Sequence, residues 1–309
     1  MRSRFLQTAS ALLDEREDVV LVLAEISASG FREAARRHPR RVVNVGIREQ
    51  AMVGVAAGLA LEGFRPIVHT YAPFLVERAF EQIKLDLAHQ DVGAVLVSIG
   101  ASHDASHEGR THQTAGDVAL IDTLPGFAIH VPGHPDEAER LLRQAVEQDG
   151  RAYLRLSEQA NAAPRPIGSG RVEVVRSGRH ATVIAVGPML DRTLAAVEAL
   201  DVTVLYASTV RPFDTDGLLR TLADPDVVLV EPYLEGTSAR LVSAALTRVP
   251  HRLLAIGVPG VELRKYGTPE EHDRALGLTA EAIERRVRGF LAVAASENAR
   301  DWRQLLSRW

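Results

Sequence analysis

The sequence predicts an α/β protein with two open, mostly parallel-sheet domains, and three observations carry that prediction. Short β-branched runs recur through the first half: "VVLVLAE" (19–25), "RVVNV" (41–45), "RPIVHTY" (65–71), "GAVLVSIG" (93–100), "GFAIHVP" (126–132) and "AYLRLS" (152–157). Helical patterns separate most of them, and the runs are apolar throughout instead of alternating, so both faces need cover, as in a parallel sheet flanked by helices. The third observation is a break: "EQANAAPRPIGSGR" (158–171) sets two Pro and two Gly among small residues and reads as a linker between domains at 1–165 and 175–309.

The clearest helix is "HPDEAERLLRQAVEQDG" (134–150). Pro135 suits its first turn, Asp136 and Glu137 complement its positive end, and Ala138, Leu141, Leu142, Ala145 and Val146 fall at helical spacing before Gly150 stops it. Beyond the linker, "ATVIAVG" (181–187), "VTVLYAS" (202–208), "VVLVE" (227–231) and "RLLAIGV" (252–258) are strands of a second unit, and a helix from Thr279 closes it. No repeat or low-complexity tract interrupts this order.

Composition narrows the function. The 309 residues are 46% hydrophobic and 25% charged, as expected of a soluble globular protein of about two domains. No apolar run approaches the roughly 20 residues of a membrane span, and no signal-peptide core precedes the first charges, so a cytoplasmic address is expected without a membrane partner. The absence of Cys excludes disulfides, thiolate metal sites and a Cys nucleophile, and a net charge of −4 gives no reason to expect nucleic acid.

One stretch poses a chemical question. In "NVGIREQAMVGVAAGLAL" (44–61), Arg48, Glu49 and Gln50 head eleven residues that are all apolar or glycine. A carboxylate there loses hydration and must be paired, protonated or useful. Either Glu49 only complements the dipole of a core helix, or its surroundings keep it protonated to share a proton with a ring nitrogen. Gly54 and Gly58, with Ala51, Ala57 and Ala60, leave a smooth face that another backbone can approach.

Two further segments bear on the choice. In "HTYAPFLVERAFEQIK" (69–84), Tyr71 and Phe74 form an aromatic wall or merely pack the core. "ASHDASHEGRTHQTAGD" (101–117) gathers three His, two Asp and one Glu just past a strand, where ligands collect in open parallel sheets. His103, His107 and His112 with Asp104 or Glu108 could ligate zinc, could bind a hydroxylated substrate and carry protons, or could be a solvated loop.

Taken in order, "VGIREQAMVGVAAGLALEG", "YAPFLVERAFEQIK", "SHDASHEGRTHQ" and "RKYGTPEEHDRALGL" resemble the pyrimidine-binding and C-terminal domains of transketolase and 1-deoxyxylulose-5-phosphate synthase over nearly the whole chain. The nearest likeness is to the C-terminal subunit of split transketolases. The resemblance implies a thiamine diphosphate enzyme that moves a two-carbon ketol unit from a ketose to an aldehyde. It implies that Glu49 hydrogen-bonds N1′ of the aminopyrimidine, promoting the tautomer whose 4′-nitrogen takes the thiazolium C2 proton, and that Tyr71 and Phe74 hold the ring. Glu77 stands where one-piece transketolases place a third aromatic. His103 and His112 would contact substrate hydroxyls, Glu108 takes the place of a substrate-binding Asp, and Ser29 matches a serine near the substrate channel.

Neither the Gly-Asp-Gly nor the Asn-Asn with which such enzymes hold Mg2+ and diphosphate occurs in the chain. It is therefore expected to supply half a site, with the metal and diphosphate held by an N-terminal transketolase subunit in an assembly of two copies of each chain. Where one-piece transketolases carry Ser-Arg-Gln to grip a substrate phosphate, this chain reads "LRLSEQ" and presents Glu158. Arg155, Arg110 or a partner residue takes over the phosphate, or the substrate is an unphosphorylated or amino-bearing sugar. A subunit of a 2-oxo acid decarboxylating or acyloin-forming enzyme, a silent interaction subunit and a metal-binding module are the competing readings.

Overall fold

The computed structural model describes residues 1–166, 170–222 and 224–297, so part of the expected linker and the last residues of the second domain lie outside the described residues. The apolar runs of the first half form β1 (Val19–Leu23), β2 (Val42–Asn44), β3 (Arg65–Tyr71), β4 (Val95–Ile99), β5 (Phe127–His130) and β6 (Arg151–Arg155). The second half forms β7 (Glu173–Arg176), β8 (Thr182–Val186), β9 (Thr203–Ala207), β10 (Thr209–Arg211), β11 (Asp226–Leu234) and β12 (Arg252–Val258). Two sheets result, a seven-stranded one in the order β10-β5-β6-β4-β3-β1-β2 and a five-stranded one in the order β12-β11-β8-β9-β7. Both are mostly parallel; the antiparallel pairs are β10 with β5 and β7 with β9.

The strands are apolar on both faces because helices cover both. Leu21, Ile67, Val95 and Leu154 pack with Phe5 and Leu13 of helix Arg2–Glu15 and with Leu141 and Leu142 of helix Pro135–Glu147. Val22, Val68 and Leu96 face the opposite way, against Met52, Val53 and Ala56 of helix Glu49–Leu61 and against Ile83 and Leu87. That second cluster continues through Val131, Val186, Ala207 and Tyr233, so one apolar core joins the two sheets.

Two short strands were not legible in advance. The three residues of β10 leave the second sheet's neighbourhood to extend the first, with Thr209 opposite His130. Half-buried β7 edges the second sheet.

Glu137 ties the halves together. Pro135 starts its helix, capped by the His134 ring, which accepts the Asp136 N–H at 3.1 Å. Glu137 turns inward, fully buried, and accepts from the N–H groups of Gly133 at 2.9 Å and Arg165 at 2.7 Å and from the hydroxyl of Tyr206 in β9. Glu137→Ala strands the Tyr206 hydroxyl and the Arg165 N–H, each costing about 1–3 kcal/mol when left unpaired, while the Gly133 N–H keeps the Tyr206 oxygen at 3.0 Å. Urea denaturation should register a loss of about 2 kcal/mol or more, against less than about 1 kcal/mol for Asp136→Ala at the same helix end.

Candidate active site

The candidate residues gather beyond the carboxyl ends of the parallel strands. Tyr71 ends β3, the His-rich loop follows β4, Glu158 follows β6, Ser29 lies in the turn after β1, and Glu49 opens the helix after β2. This is where an open parallel sheet leaves room for a ligand.

Glu49 is 1% exposed. Its Oε2 accepts from Arg78 Nη1 at 2.7 Å, while Oε1 is buried with no hydrogen-bond partner. The residue is buried as expected, but its carboxylate also meets the Arg78 guanidinium, which no motif in the sequence points to. A π-helical turn over Pro73–Glu77, closed by the Arg78 N–H on the Pro73 carbonyl at 3.1 Å, presents Phe74 and Arg78 together. The Arg78 guanidinium carbon lies 4.0 Å from the Phe74 ring centroid.

Phe74 belongs to an aromatic group. Its ring stands edge-on to Tyr71 at 5.8 Å and to His112 at 4.9 Å, and Tyr71 meets His112 at 5.2 Å. Gly100, at φ +72°, makes room for this: a Cβ there would lie 2.4 Å from Tyr71 Cδ1. The structure thus brings Glu49, Tyr71, Phe74 and His112 into one neighbourhood, with Arg78 between Glu49 and Phe74.

The other candidates disperse. His103 is buried against the second half of the chain, where Nε2 meets Asp273 Oδ1 at 2.8 Å and the ring stacks on His272 at 5.7 Å. Asp273 also takes Arg192 at 2.6 Å and Gln159 Nε2 at 2.9 Å. Burial pushes the Asp273 carboxyl up, but the bonds to His103 and Arg192 outweigh it and hold it below the usual carboxylate range. His103 Nδ1 is buried and unpartnered. Glu108 is exposed, 3.5 Å from exposed His107. Ser29 is exposed; two residues earlier, buried Ser27 binds His69 Nε2 at 2.9 Å. His103, His107 and His112 diverge, and among the described residues no group of three or more His, Cys, Asp or Glu could hold a metal ion.

Glu158 is exposed, and of the two arginines that could replace a phosphate grip, Arg155 is 1% exposed and committed to Asp117 Oδ2 at 2.7 Å and Ser102 Oγ at 2.7 Å. Arg110 pairs at the surface with Glu262 at 2.7 Å. Asp117 closes the His-rich segment and Asp273 lies in "PEEHD", and neither position indicates its partners, which come from distant segments.

Residues 1–163 match the transketolase pyrimidine-binding domain and residues 170–283 the transketolase C-terminal domain. The chain belongs to the transketolase family. A 33.6 kDa protein in the fasciation locus of Rhodococcoides fascians, described as uncharacterized, is 51% identical over 94% of this chain and 95% of its own length. The 1-deoxy-D-xylulose-5-phosphate synthases of Acidovorax ebreus and Alkalilimnicola ehrlichii are 32% and 34% identical, each over 88% of this chain. This transketolase-family chain spans about half of those synthases, 44% and 45% of their lengths. A split-gene transketolase solved as an inactive β4 tetramer is 26% identical with a TM-score of 0.83, over 94% of this chain and 98% of that one. Transketolase from Campylobacter jejuni shares the fold, with a TM-score of 0.75 at 18% identity, over 93% of this chain and 46% of its own. Among the described residues no helix is long and apolar enough to cross a membrane.

Asp104 supplies a pH prediction. Burial pushes its carboxyl up to about 7, against the opposing bond from the Glu158 N–H and the pull of Arg155. A carboxyl raised in the folded state favours folding while protonated, and that advantage is lost as pH rises from the unfolded value near 4 through about 7. Oδ2 accepts from the N–H groups of Ala101 and Glu158, a role an amide oxygen can keep. Asp104→Asn should therefore show a Tm that falls less than the wild type's between about pH 5 and about pH 8, measured by calorimetric scanning.

Proposed function

We propose that this chain is the C-terminal subunit of a two-component, thiamine diphosphate-dependent transketolase that moves a two-carbon ketol unit from a ketose to an aldehyde. The observation that carries the reading is Glu49: a buried carboxylate at a helix start with one oxygen unpartnered, whose partner Arg78 lies over the ring of Phe74 in the Tyr71–Phe74 aromatic group. An orphaned acid of this kind fits a ring nitrogen that shares a proton, and Tyr71 and Phe74 fit a flat heterocycle. When bound, the cofactor supplies the electron sink that stabilises the transferred carbon fragment.

The chain's own groups bind and move protons. Glu49 holds the proton at the heterocycle nitrogen. His112, packed on both aromatic rings, borders the space where a substrate hydroxyl would lie. In the tautomer that donates Nε2–H to Asp273, His103 keeps Nδ1 as an acceptor for a second hydroxyl. Ser29, Glu108 and Glu158 are exposed around the same strand ends and contribute substrate contacts.

Magnesium and diphosphate are assigned to an N-terminal transketolase subunit, in an assembly with two copies of each chain. Support comes from the likeness to a split-gene transketolase subunit and from helix Glu49–Leu61, whose residues Ala51, Val55, Gly58 and Leu61 are exposed. Isothermal calorimetry with thiamine diphosphate and Mg2+ should give no tight binding to this chain by itself and saturable binding once the partner is added; tight binding without the partner contradicts the two-subunit reading.

The substrate end near Glu158 is proposed to lack a phosphate. Arg155 is consumed by Asp117 and Ser102, and a carboxylate repels phosphate by about 1 kcal/mol per charge pair at roughly 4 Å even in water. Phosphorylated and dephosphorylated pairs of donor and acceptor sugars should differ in kcat/KM in favour of the dephosphorylated member, and Glu158→Arg should shift the ratio towards the phosphorylated one. A strong preference for phosphorylated sugars that Glu158→Arg leaves unimproved overturns this part. The synthase relatives are named for a sugar phosphate product, so a strong preference for phosphorylated sugars would align this chain with them.

A further inference from the structure

Arg78 is engaged in two contacts that a flat, nitrogen-rich ring would also make. Its Nη1 donates to Glu49 Oε2 at 2.7 Å, and its guanidinium lies over the Phe74 ring, 4.0 Å from the centroid. A guanidinium is planar, donates in its own plane and stacks on aromatic faces, so it reproduces the stacking of an aminopyrimidine and the N–H···O bond that ring makes once its N1′ has taken the proton shared with Glu49. We propose that Arg78 is an internal stand-in for the aminopyrimidine, holding Glu49 and covering Phe74 until it is displaced. This rests on the reading of Glu49 as the residue that meets the cofactor ring.

Two features fit displacement better than permanent support. The Arg78 side chain is 38% exposed while that of Glu49 is 1% exposed, so the arginine has an exit to solvent and the acid has none. The Arg78 backbone is held from both directions, its N–H on the Pro73 carbonyl and its carbonyl accepting from Gln50 Nε2 at 3.1 Å, so the side chain can leave without moving the turn. Breaking a charge-assisted bond and stripping a cation from an aromatic face both cost free energy, so the pair weakens the first binding of the ring. Meanwhile it spares a buried carboxylate from standing wholly unpartnered.

The test uses the full chain and, as probe, 4-amino-5-hydroxymethyl-2-methylpyrimidine, the ring half of the cofactor without metal or diphosphate. Arg78→Met keeps the aliphatic stem and removes the cation. By equilibrium dialysis it should bind the probe about 10- to 100-fold more tightly than wild type, the factor that loss of one charge-assisted hydrogen bond carries. Adding Glu49→Gln should abolish most of that gain, and Arg78→Lys should stay near wild type. In the wild type, the Arg78 side-chain NMR signal should move on adding probe from a protected position to that of a solvated guanidinium. Equal or weaker binding by Arg78→Met, or an Arg78 signal unmoved at saturating probe, overturns the proposal and makes Arg78 a fixed support. If neither form binds the probe while the assembled enzyme binds thiamine diphosphate, the stand-in idea fails and the two-subunit reading survives. If the assembled enzyme binds no thiamine diphosphate, both fall.

Discussion

The carboxylate of Glu49 is the constraint on which the site depends. Burying an acid at the head of an apolar helix is costly unless its oxygens are satisfied, and one of the two is satisfied only by a side chain from a different element. Every neighbouring feature can be read as accommodation of that fact. The π-helical turn delivers Arg78, Phe74 supplies the face on which the guanidinium lies, and the positive φ of Gly100 admits the Tyr71 ring that braces Phe74. The other oxygen, Oε1, stays buried with no hydrogen-bond partner.

A second buried polar system holds the frame. Arg155, Asp117, Tyr153 and Ser98 form a linked set inside the first sheet, and Ser102 passes the link to the Pro232 carbonyl of β11. His103 and Asp273 make a parallel tie between the His-rich loop and helix Pro269–Leu276. The loop that carries the histidines is thus clamped at its start by the second half of the chain, and only its later part, with His112, reaches the aromatic group. The C-terminal half consequently shapes the site by restraining that loop, although it contributes little to the aromatic group itself.

Fold was largely legible because burial on both faces leaves a plain signature. Runs such as "VVLVLAE" and "ATVIAVG" became parallel strands, and "HPDEAERLLRQAVE" became a helix with its expected start. The strands that escaped notice, β7 and β10, are a half-buried edge and a three-residue crossing, neither long enough to impose a pattern. At the candidate site, Glu49, Tyr71, Phe74 and His112 stand out in the sequence by type and order, and the structure places them in one neighbourhood. Arg78 was visible in "FLVERAF" yet unremarkable, since an arginine on an exposed turn is ordinary until its partner is known. Glu137 was read as a dipole acid, and the structure gives it a buried role, because sequence spacing tells which residues share a turn but not which way a first-turn side chain folds.

The proposed function requires Glu49 to act as an acid towards the aminopyrimidine ring of thiamine diphosphate. Its most direct measurement is hydrogen–deuterium exchange at the thiazolium C2 of thiamine diphosphate, followed by quenched-flow NMR in the proposed two-subunit assembly, comparing wild type with Glu49→Gln. Loss of a proton-transfer role of this kind should slow exchange about 10²- to 10⁴-fold while leaving the fold intact by circular dichroism. Exchange at the wild-type rate in Glu49→Gln would contradict the account and leave Glu49 as a structural acid at a helix start.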